Sequence, residues 1–378
     1  MNKINDKKRN IAEPFYKNTF CRRNKFFCGT AVYLAAAIVI YIFSRTNQGV
    51  ADFVCRYIGG AVRFVLAGVT SLFPFSVAEA FLILLFPFVI IFLFFVPDED
   101  EGRYMTRNSY AVLGVLFLIV SIYLSAFAPC YFRTSVEDEL SLERETVTKA
   151  DVYNAAVIVS EEIKNLEGSI TADCTGKTLM PYSYSELVFK LNEAYESVCK
   201  KYDFISDFYS YPKPLIISEL MPYTRISGFY TFFTGESNVS TAYPDFMLPY
   251  TMAHEMAHQR GIAREDEANF IAFLVCMESA DEYIRYSGYT ELMNYLTDAL
   301  YLADYALYSQ VYSSASVLYK NEYAAYVSFI RSTDSKKVSG VTESINNSML
   351  QSQGQEAGSD SYGLVAELAA AFYRESRG

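Results

Sequence analysis

The first third of the chain contains three apolar runs long enough to cross a membrane. Residues 26–44 carry no charge, residues 76–96 carry only Glu79 near their start, and residues 109–128 again carry no charge. A helix of about 20 apolar residues spans the roughly 30 Å hydrocarbon core of a bilayer. The pattern therefore predicts three transmembrane helices, at about 26–44, 76–96 and 109–128.

A further apolar segment, residues 51–71, differs from these runs. It is interrupted by Asp52, Arg56, Arg63 and the adjacent Gly59 and Gly60. A helix that carries charges among apolar residues fits the lipid–water interface better than the bilayer core. The sequence therefore predicts an interfacial segment at 51–71 rather than a fourth span.

Basic residues cluster before the first run. Residues 1–26 hold eight Lys and Arg against two acidic residues, whereas the whole chain has a formal net charge of -11. Because cytoplasmic segments of membrane proteins are enriched in Lys and Arg, this basic tail is expected in the cytoplasm. Three crossings of the region 27–130 then place residues 131–378 on the extracytoplasmic side, and a different number of crossings would reverse that side.

From residue 131 onward the composition is that of a soluble domain. Apolar residues recur with helical spacing over 150–166 and 183–202, and residues 212–233 combine β-branched and aromatic residues with proline, which indicates short strands. Helix is predicted again from about Leu248, interrupted by a polar stretch at 333–361. The seven cysteines show no close paired spacing, and Cys174 and Cys199 could pair if the domain lies outside the cell.

The clearest chemical signal is HEMAH at residues 254–258, which contains both histidines of the chain. Residues i and i+4 share one helix face, so His254 and His258 can occupy neighbouring corners of a tetrahedral zinc site. Glu255 can then act as general base on a zinc-activated water. Gly261 marks the expected end of this helix.

A catalytic zinc site needs a third protein ligand, which in a chain without further histidines must be a carboxylate or a cysteine. The nearest carboxylates are Glu265, Asp266 and Glu267, at the start of a second predicted helix over 264–277. Glu265 shares a helix face with small residues that allow close helix packing, whereas Glu267 shares a face with larger apolar residues. Periodicity alone leaves both open.

An HExxH helix followed shortly by a helix that opens with Glu-x-x-Ala-Asp or Glu-x-x-Ala-Asn resembles the gluzincin metallopeptidases. In this chain the second element is EDEAN at residues 265–269. The resemblance implies that Glu265 is the third ligand. It also places Asn269 where many gluzincins have an Asp that orients a ligand histidine, and Asn keeps the hydrogen-bond acceptor without the charge.

Over most of its length the chain resembles domain of unknown function family 3810, a family of bacterial membrane proteins. The shared segments are FPFSVAE at 73–79, SGFYTFFTGESNV at 227–239, HEMAHQRGIAREDEANF at 254–270 and SQGQEAGSDSYG at 352–363. This resemblance implies a zinc hydrolase at a bacterial membrane and no particular substrate.

The segment before the metal helix suits substrate binding. Zincins generally line their cleft with an edge strand, and such an edge holds a peptide by main-chain hydrogen bonds. We expect this role for Gly228, Phe229, Tyr230, Thr231, Phe232 and Phe233. The donor that would stabilise an oxyanion stays open among Tyr230, Tyr286, Tyr289 and Tyr362.

The expected architecture is an N-terminal three-helix transmembrane region followed by an α+β zincin-like (gluzincin) catalytic domain, mostly helical with a small sheet. The expected function is that of a membrane-anchored zinc metallopeptidase acting on a peptide or protein substrate at the cell envelope. The lipid bilayer is an expected partner and Zn²⁺ the expected cofactor, and no organic cofactor is expected. A sequence pI near 4.9 disfavours nucleic acid as a partner. Two alternatives stay open: a non-catalytic envelope protein with a structural or vestigial metal site, and a metal-dependent cell-wall amidase.

Overall fold

The computed structural model describes residues 19–95, 107–333 and 362–376, together with positions 340 and 344. These residues form a mostly helical protein with one small sheet. The α-helices are α1 (Thr19–Arg23), α2 (Lys25–Thr46), α3 (Gln48–Phe53), α4 (Gly60–Thr70), α5 (Val77–Phe94), α6 (Arg107–Ile122), α7 (Val136–Glu139), α8 (Lys149–Leu166), α9 (Tyr184–Lys201), α10 (Met247–Gln259), α11 (Glu265–Met277), α12 (Glu282–Ala303), α13 (Tyr305–Ser314), α14 (Val317–Ser332) and α15 (Tyr362–Glu375).

The N-terminal helices are those of a membrane protein. Within the described part of the chain, four continuous helical stretches are long and apolar enough to cross a bilayer: Lys25–Thr46, Gln48–Thr70, Val77–Phe94 and Arg107–Phe132. The last continues α6 through a π-helical turn, Tyr123–Phe127, and a 3₁₀ turn, Ala128–Phe132. Three of the stretches coincide with the predicted spans.

The fourth stretch, hereafter helix 48–70, contains the segment predicted to be interfacial. It joins α3 to α4 through a π-helical turn, Val54–Gly59. One face is buried along its whole length and includes the charged Arg63, whereas the other face is exposed and apolar apart from Arg56. The exposed side chains are those of Phe53, Tyr57, Ile58, Phe64, Val65 and Val69. By composition this helix can lie in the interface or cross the bilayer, so its interfacial position stays a prediction.

Both ends of helix 48–70 contact the domain that follows the spans. Near its start, Asp52 accepts hydrogen bonds from the N–H and the hydroxyl of Thr134, at 2.7 and 2.8 Å. Just beyond its end, the ammonium of Lys213 donates to the carbonyl of Phe73. The helix therefore runs along the domain surface from one end to the other.

The ends of the other apolar helices meet the same domain. Glu236 accepts hydrogen bonds from the N–H groups of Val77 and Ala78, at 2.9 and 2.7 Å, and so caps the first turn of α5. Tyr41 in the last turns of α2 packs on Phe132 at the end of the last apolar stretch, with ring centroids 5.8 Å apart. The C-terminal ends of α2 and α6 and the N-terminal end of α5 thus lie on one side.

The domain core lies between helices that carry one buried apolar stripe each. α8 and α9 begin with capping boxes, formed by Thr148 with Asp151 and by Ser183 with Glu186, which explains where these helices start. Both confirm the helices predicted at 150–166 and 183–202. They enclose α10, α11, α12 and α15 in a single apolar cluster. Of the predicted polar interruption at 333–361, only Thr333 and positions 340 and 344 are among the described residues.

The sheet has three strands in the order β1-β3-β2, namely β1 (Lys213–Pro214), β2 (Gly228–Thr231) and β3 (Glu236–Val239). β1 pairs with β3 in parallel and β2 pairs with β3 antiparallel. β1 and β2 lie in the region where short strands were predicted. β3 was not predicted, because its sequence ESNV is polar although all four residues are buried.

One disulfide joins helix 48–70 to the end of the last apolar stretch. Cys55 of helix 48–70 is bonded to Cys130, which follows α6, with Cα atoms 5.1 Å apart. The pairing of Cys174 with Cys199 that the sequence left open is not formed, since both are free thiols and Cys174 is exposed. Periodicity and spacing gave no indication of the bonded pair, whose members lie 75 residues apart.

Candidate metal centre

Helix α10 brings the two histidines together. It is buried nearly all round, so its sequence positions the histidine face by packing rather than by contact with solvent. The rings of His254 and His258 have centroids 4.6 Å apart, and their Nε2 atoms lie 3.0 Å apart. The predicted i, i+4 pair therefore points both imidazoles at one spot.

The ring of His258 is oriented by the turn that ends α10. Its Nδ1 lies 2.7 Å from the carbonyl oxygen of Ile262, which can only accept, so Nδ1 carries the proton and Nε2 is free to bind a metal when the ring is neutral. The turn depends on Gly261, whose φ of 91° is costly for other residues. The helix ends where Gly261 predicted.

Glu265, the first residue of α11, completes a cluster of three ligand groups. Its Oε2 lies 3.3 Å from Nε2 of His254 and its Oε1 lies 3.5 Å from Nε2 of His258. Donors that bind one tetrahedral zinc at about 2.0 to 2.2 Å lie about 3.3 to 3.6 Å from one another. The two imidazole–carboxylate separations fit a zinc ion, and the N, N, O donor set suits one as well, whereas the two Nε2 atoms, 3.0 Å apart, lie slightly closer together than zinc-bound donors.

Strong coupling between the ligand groups is visible in their electrostatics. Burial alone would lower the pKa of His258, but the carboxylate of Glu265 outweighs it and raises the pKa to about 9. Burial alone would raise the pKa of Glu265, and His258 together with His254 instead holds it far below its usual value. Glu265 and His258 therefore stabilise each other's charged forms even before a metal is considered.

Glu255 lies beside this cluster without joining it. Its side chain is buried, and its Oε2 has no hydrogen-bond partner among the described residues. Burial raises its pKa to about 7, although the neighbouring His254 and His258 oppose the shift. A carboxylate so placed can take up and release a proton near neutral pH, as a general base requires.

The other candidate on α11 is engaged elsewhere. Glu267 accepts hydrogen bonds from the Val136 N–H at 2.9 Å and from Arg264 at 2.8 Å, and it also lies 3.9 Å from Arg133. These contacts tie α11 to the segment that follows the last apolar helix. Of the two glutamates that periodicity left open, the structure brings Glu265 to the histidines.

Asn269 does not orient a histidine ligand. Its backbone carbonyl accepts a hydrogen bond from the hydroxyl of Tyr250 at 2.8 Å, and its side-chain oxygen lies 3.4 Å from the same hydroxyl. Nδ1 of His254 is buried and has no hydrogen-bond partner among the described residues. The chain thus lacks, in its described part, the acceptor that the gluzincin resemblance implied.

The predicted edge strand flanks Glu255. β2 comprises Gly228, Phe229, Tyr230 and Thr231, pairs with β3 on one side only within the described residues, and is followed by Phe232 and Phe233 in the turn. A Cβ at Gly228 would lie only 2.8 Å from Cγ and Oε1 of Glu255. Glycine at this position therefore lets the strand approach the carboxylate.

The tyrosines considered as oxyanion donors do not form one group. Tyr230 is on β2 with its hydroxyl buried and without a hydrogen-bond partner among the described residues. Tyr286 and Tyr289 are buried on α12 in the core cluster. The side chain of Tyr362 lies outside the described residues. Tyr230 is thus the candidate on the strand beside Glu255.

A family model described as "Protein of unknown function (DUF3810)" matches residues 56–370. The chain belongs to this family. The match includes the sheet, the HEMAH helix and α11, and it begins within helix 48–70, after α2. No curated protein and no solved structure matches the chain.

Proposed function

We propose that this member of the DUF3810 family is a membrane-anchored zinc metallopeptidase with a zincin-like, gluzincin-type catalytic domain. The proposal rests on one observation: His254, His258 and Glu265 converge from two helices at zinc-like donor separations, with the buried carboxylate of Glu255 beside them. A structural metal site has no need of a non-ligating carboxylate beside its three ligands, so Glu255 favours catalysis.

The residues divide into ligands and a proton carrier. His254, His258 and Glu265 would hold the ion, which supplies Lewis acidity that polarises a scissile carbonyl and acidifies water. Glu255 accepts the proton of the attacking water and donates it to the leaving amine, as general base and then general acid. β2 aligns the substrate backbone next to Glu255, since Gly228 allows the close approach.

We further propose that the chain crosses the membrane three times, with helix 48–70 lying in the outer interface and the domain outside the cytoplasm. Contacts at both ends of helix 48–70 support this topology, because Asp52 and the carbonyl of Phe73 both bind the same domain. A helix that crossed the bilayer would separate its ends by roughly 30 Å of hydrocarbon. The Cys55–Cys130 disulfide supports this topology too, because disulfides persist in oxidising compartments such as those outside the cytoplasm.

The experiment that tests catalysis compares the full chain with its Glu255→Gln variant in detergent. Gln keeps the volume of the side chain and removes its base, so we expect hydrolysis of a quenched-fluorescence peptide library to fall at least about 100-fold while zinc is retained. Glu282→Gln is the matched control, because Glu282 is exposed in the first turn of α12 and should leave the rate unchanged. Wild-type activity in Glu255→Gln would refute the mechanism.

A further inference from the structure

The turn between β2 and β3, hereafter the hairpin tip (residues 232–235), is wedged among the membrane helices. The ring of Phe232 packs on Tyr123 at 5.1 Å between centroids, and Phe233 packs on Phe81 of α5 at 5.5 Å. A Cβ at Gly235 would lie 2.5 Å from Cβ of Leu66, so helix 48–70 touches the third side. The tip of the hairpin therefore sits at the domain-side ends of the apolar helices.

The root of the same strand lies at the candidate catalytic carboxylate. Gly228 abuts Glu255, and Tyr230, midway along, packs on Phe127 of the π-helical turn at 5.2 Å. From Gly228 to Thr231 the strand extends over three residue steps, or about 10 Å at 3.3 Å per residue, and the turn with Phe232 and Phe233 follows directly. A peptide laid along β2 thus reaches the ends of the membrane helices within about five residues of the reacting bond.

A second, independent contact holds the start of α11, which carries the candidate ligand Glu265, against the end of the last apolar stretch. Arg264 directly precedes the ligand Glu265, and its guanidinium donates to the carbonyl of Tyr131 at 3.2 and 3.1 Å and to that of Arg133 at 3.1 Å. Tyr131 belongs to the last apolar stretch, Arg107–Phe132. The third ligand is therefore one residue from an anchor on the end of a membrane helix.

The domain surface around this end is apolar and open. Glu79 in the first turn of α5 accepts hydrogen bonds from the N–H groups of Ile216 and Ile217, at 2.8 and 2.9 Å, which places this loop beside the membrane helix. Yet the side chains of Ile216 and Leu72 are 75% and 81% exposed. Apolar side chains that are exposed beside membrane helices are stabilised by contact with lipid, so this surface is suited to contact with the bilayer.

From these contacts we infer that the substrates are polypeptides tethered in the same membrane, cut within about ten residues of their anchor. This inference rests on the proposed peptidase function and specifies its substrate class. Tethering raises the effective concentration of a substrate at a site beside the membrane, whereas a free peptide must reach that site from solution. The aromatic contacts of the hairpin tip would set the distance between the anchor and the reacting bond.

The test maps new protein N-termini in cells that express the full chain as wild type or as Glu255→Gln. We expect N-termini that depend on Glu255 to lie within about ten residues of a membrane span or lipid anchor. Glu255-dependent N-termini spread through soluble proteins would overturn the substrate class and leave the peptidase function standing. An absence of Glu255-dependent N-termini would overturn the peptidase function and this inference with it.

A reconstituted assay makes the distance explicit. One cleaved segment is anchored in vesicles together with the full chain, either directly, through a 20-residue Gly-Ser spacer, or without its anchor. We expect cleavage to fall at least about tenfold when the anchor is removed and also when the spacer is inserted. Equal rates for all three forms would contradict the inference that the substrates are tethered close to the cleaved bond.

Discussion

Replacing Gly228 with alanine should disable catalysis and leave the metal in place. The added Cβ would lie 2.8 Å from Cγ and Oε1 of Glu255 and 2.9 Å from the carbonyl oxygen of Asn238. Carbon atoms in contact prefer separations of about 3.5 to 4.0 Å, so the carboxylate and the strand must separate by up to about 1 Å. The three heavy atoms nearest to this Cβ belong to Glu255 and Asn238, and none of them belongs to a ligand residue.

The expected size of the effect follows from that displacement. A misplacement of about 1 Å at a reacting group costs on the order of 100-fold in rate, or about 2.7 kcal/mol in transition-state free energy. Overpacking also lowers the free energy of unfolding by about 1 to 3 kcal/mol. This loss is smaller than the total stability of a typical domain, about 5 to 15 kcal/mol, so the variant should stay folded at room temperature. We therefore expect about one zinc per chain with kcat/KM reduced about 100-fold.

The assay measures kcat/KM on a quenched-fluorescence peptide library and zinc content by mass spectrometry on the same sample. Gly168→Ala is the matched control, because no heavy atom lies within 4 Å of the Cβ it would add. Unchanged kcat/KM in Gly228→Ala would show that Glu255 does not need its position beside β2. Loss of zinc in parallel with activity would show that the substitution acts on the ligands instead.

Three further predictions concern topology, the disulfide and the domain. An impermeant maleimide applied to spheroplasts should label the exposed Cys174, and labelling that requires permeabilised membranes would place the domain in the cytoplasm. The denatured, unreduced chain should take up alkyl groups on five cysteines, leaving Cys55 and Cys130 unmodified until reduction, whereas seven before reduction would exclude the disulfide. Burial alone would raise the pKa of Asp281, but Lys190 and the Ile284 N–H hold it below its usual value. Its ionised form therefore stabilises the fold above the usual pKa of an Asp side chain, so Asp281→Asn should lower Tm by about 2 to 4 °C at pH 7, and a difference that does not shrink as the pH falls through the lowered pKa would contradict this.

The pairing of His254 with His258 could be predicted because its determinants are local in sequence. The i, i+4 spacing of His254 and His258 needs only a helix, and Gly261 marks the end of that helix. The distinction between Glu265 and Glu267 was not local. It depends on Arg133 and the N–H of Val136, which contact Glu267 from the segment after the last apolar helix.

The polar strand β3 shows why part of the fold escaped prediction. A buried strand is expected to be apolar, but Asn238 and Glu236 are buried because residues at the start of α5 bind them. Ser76 lies 2.6 Å from Oδ1 of Asn238, and the N–H groups of Val77 and Ala78 donate to Glu236. These partners are about 160 residues away in sequence, so no local pattern could indicate them.

The burial of Arg63 in helix 48–70 could not be predicted for the same reason. Its charge argued for an interface, yet its guanidinium is buried and donates to the carbonyls of Ala126 and Cys55, at 2.9 and 2.7 Å. A single charge among apolar residues thus indicated an unusual helix without revealing its partners. Only the fold brings the end of α6 and the turn at Gly261 against the same side chain.

Metal content of the purified full chain tests the central claim most directly. Mass spectrometry on wild type, His258→Ala, Glu265→Ala and the exposed control Glu282→Ala should give about one zinc per chain in wild type and in the control, and little in the two ligand variants. Absence of metal from folded wild type, or zinc retained in both ligand variants, would contradict the site built from His254, His258 and Glu265.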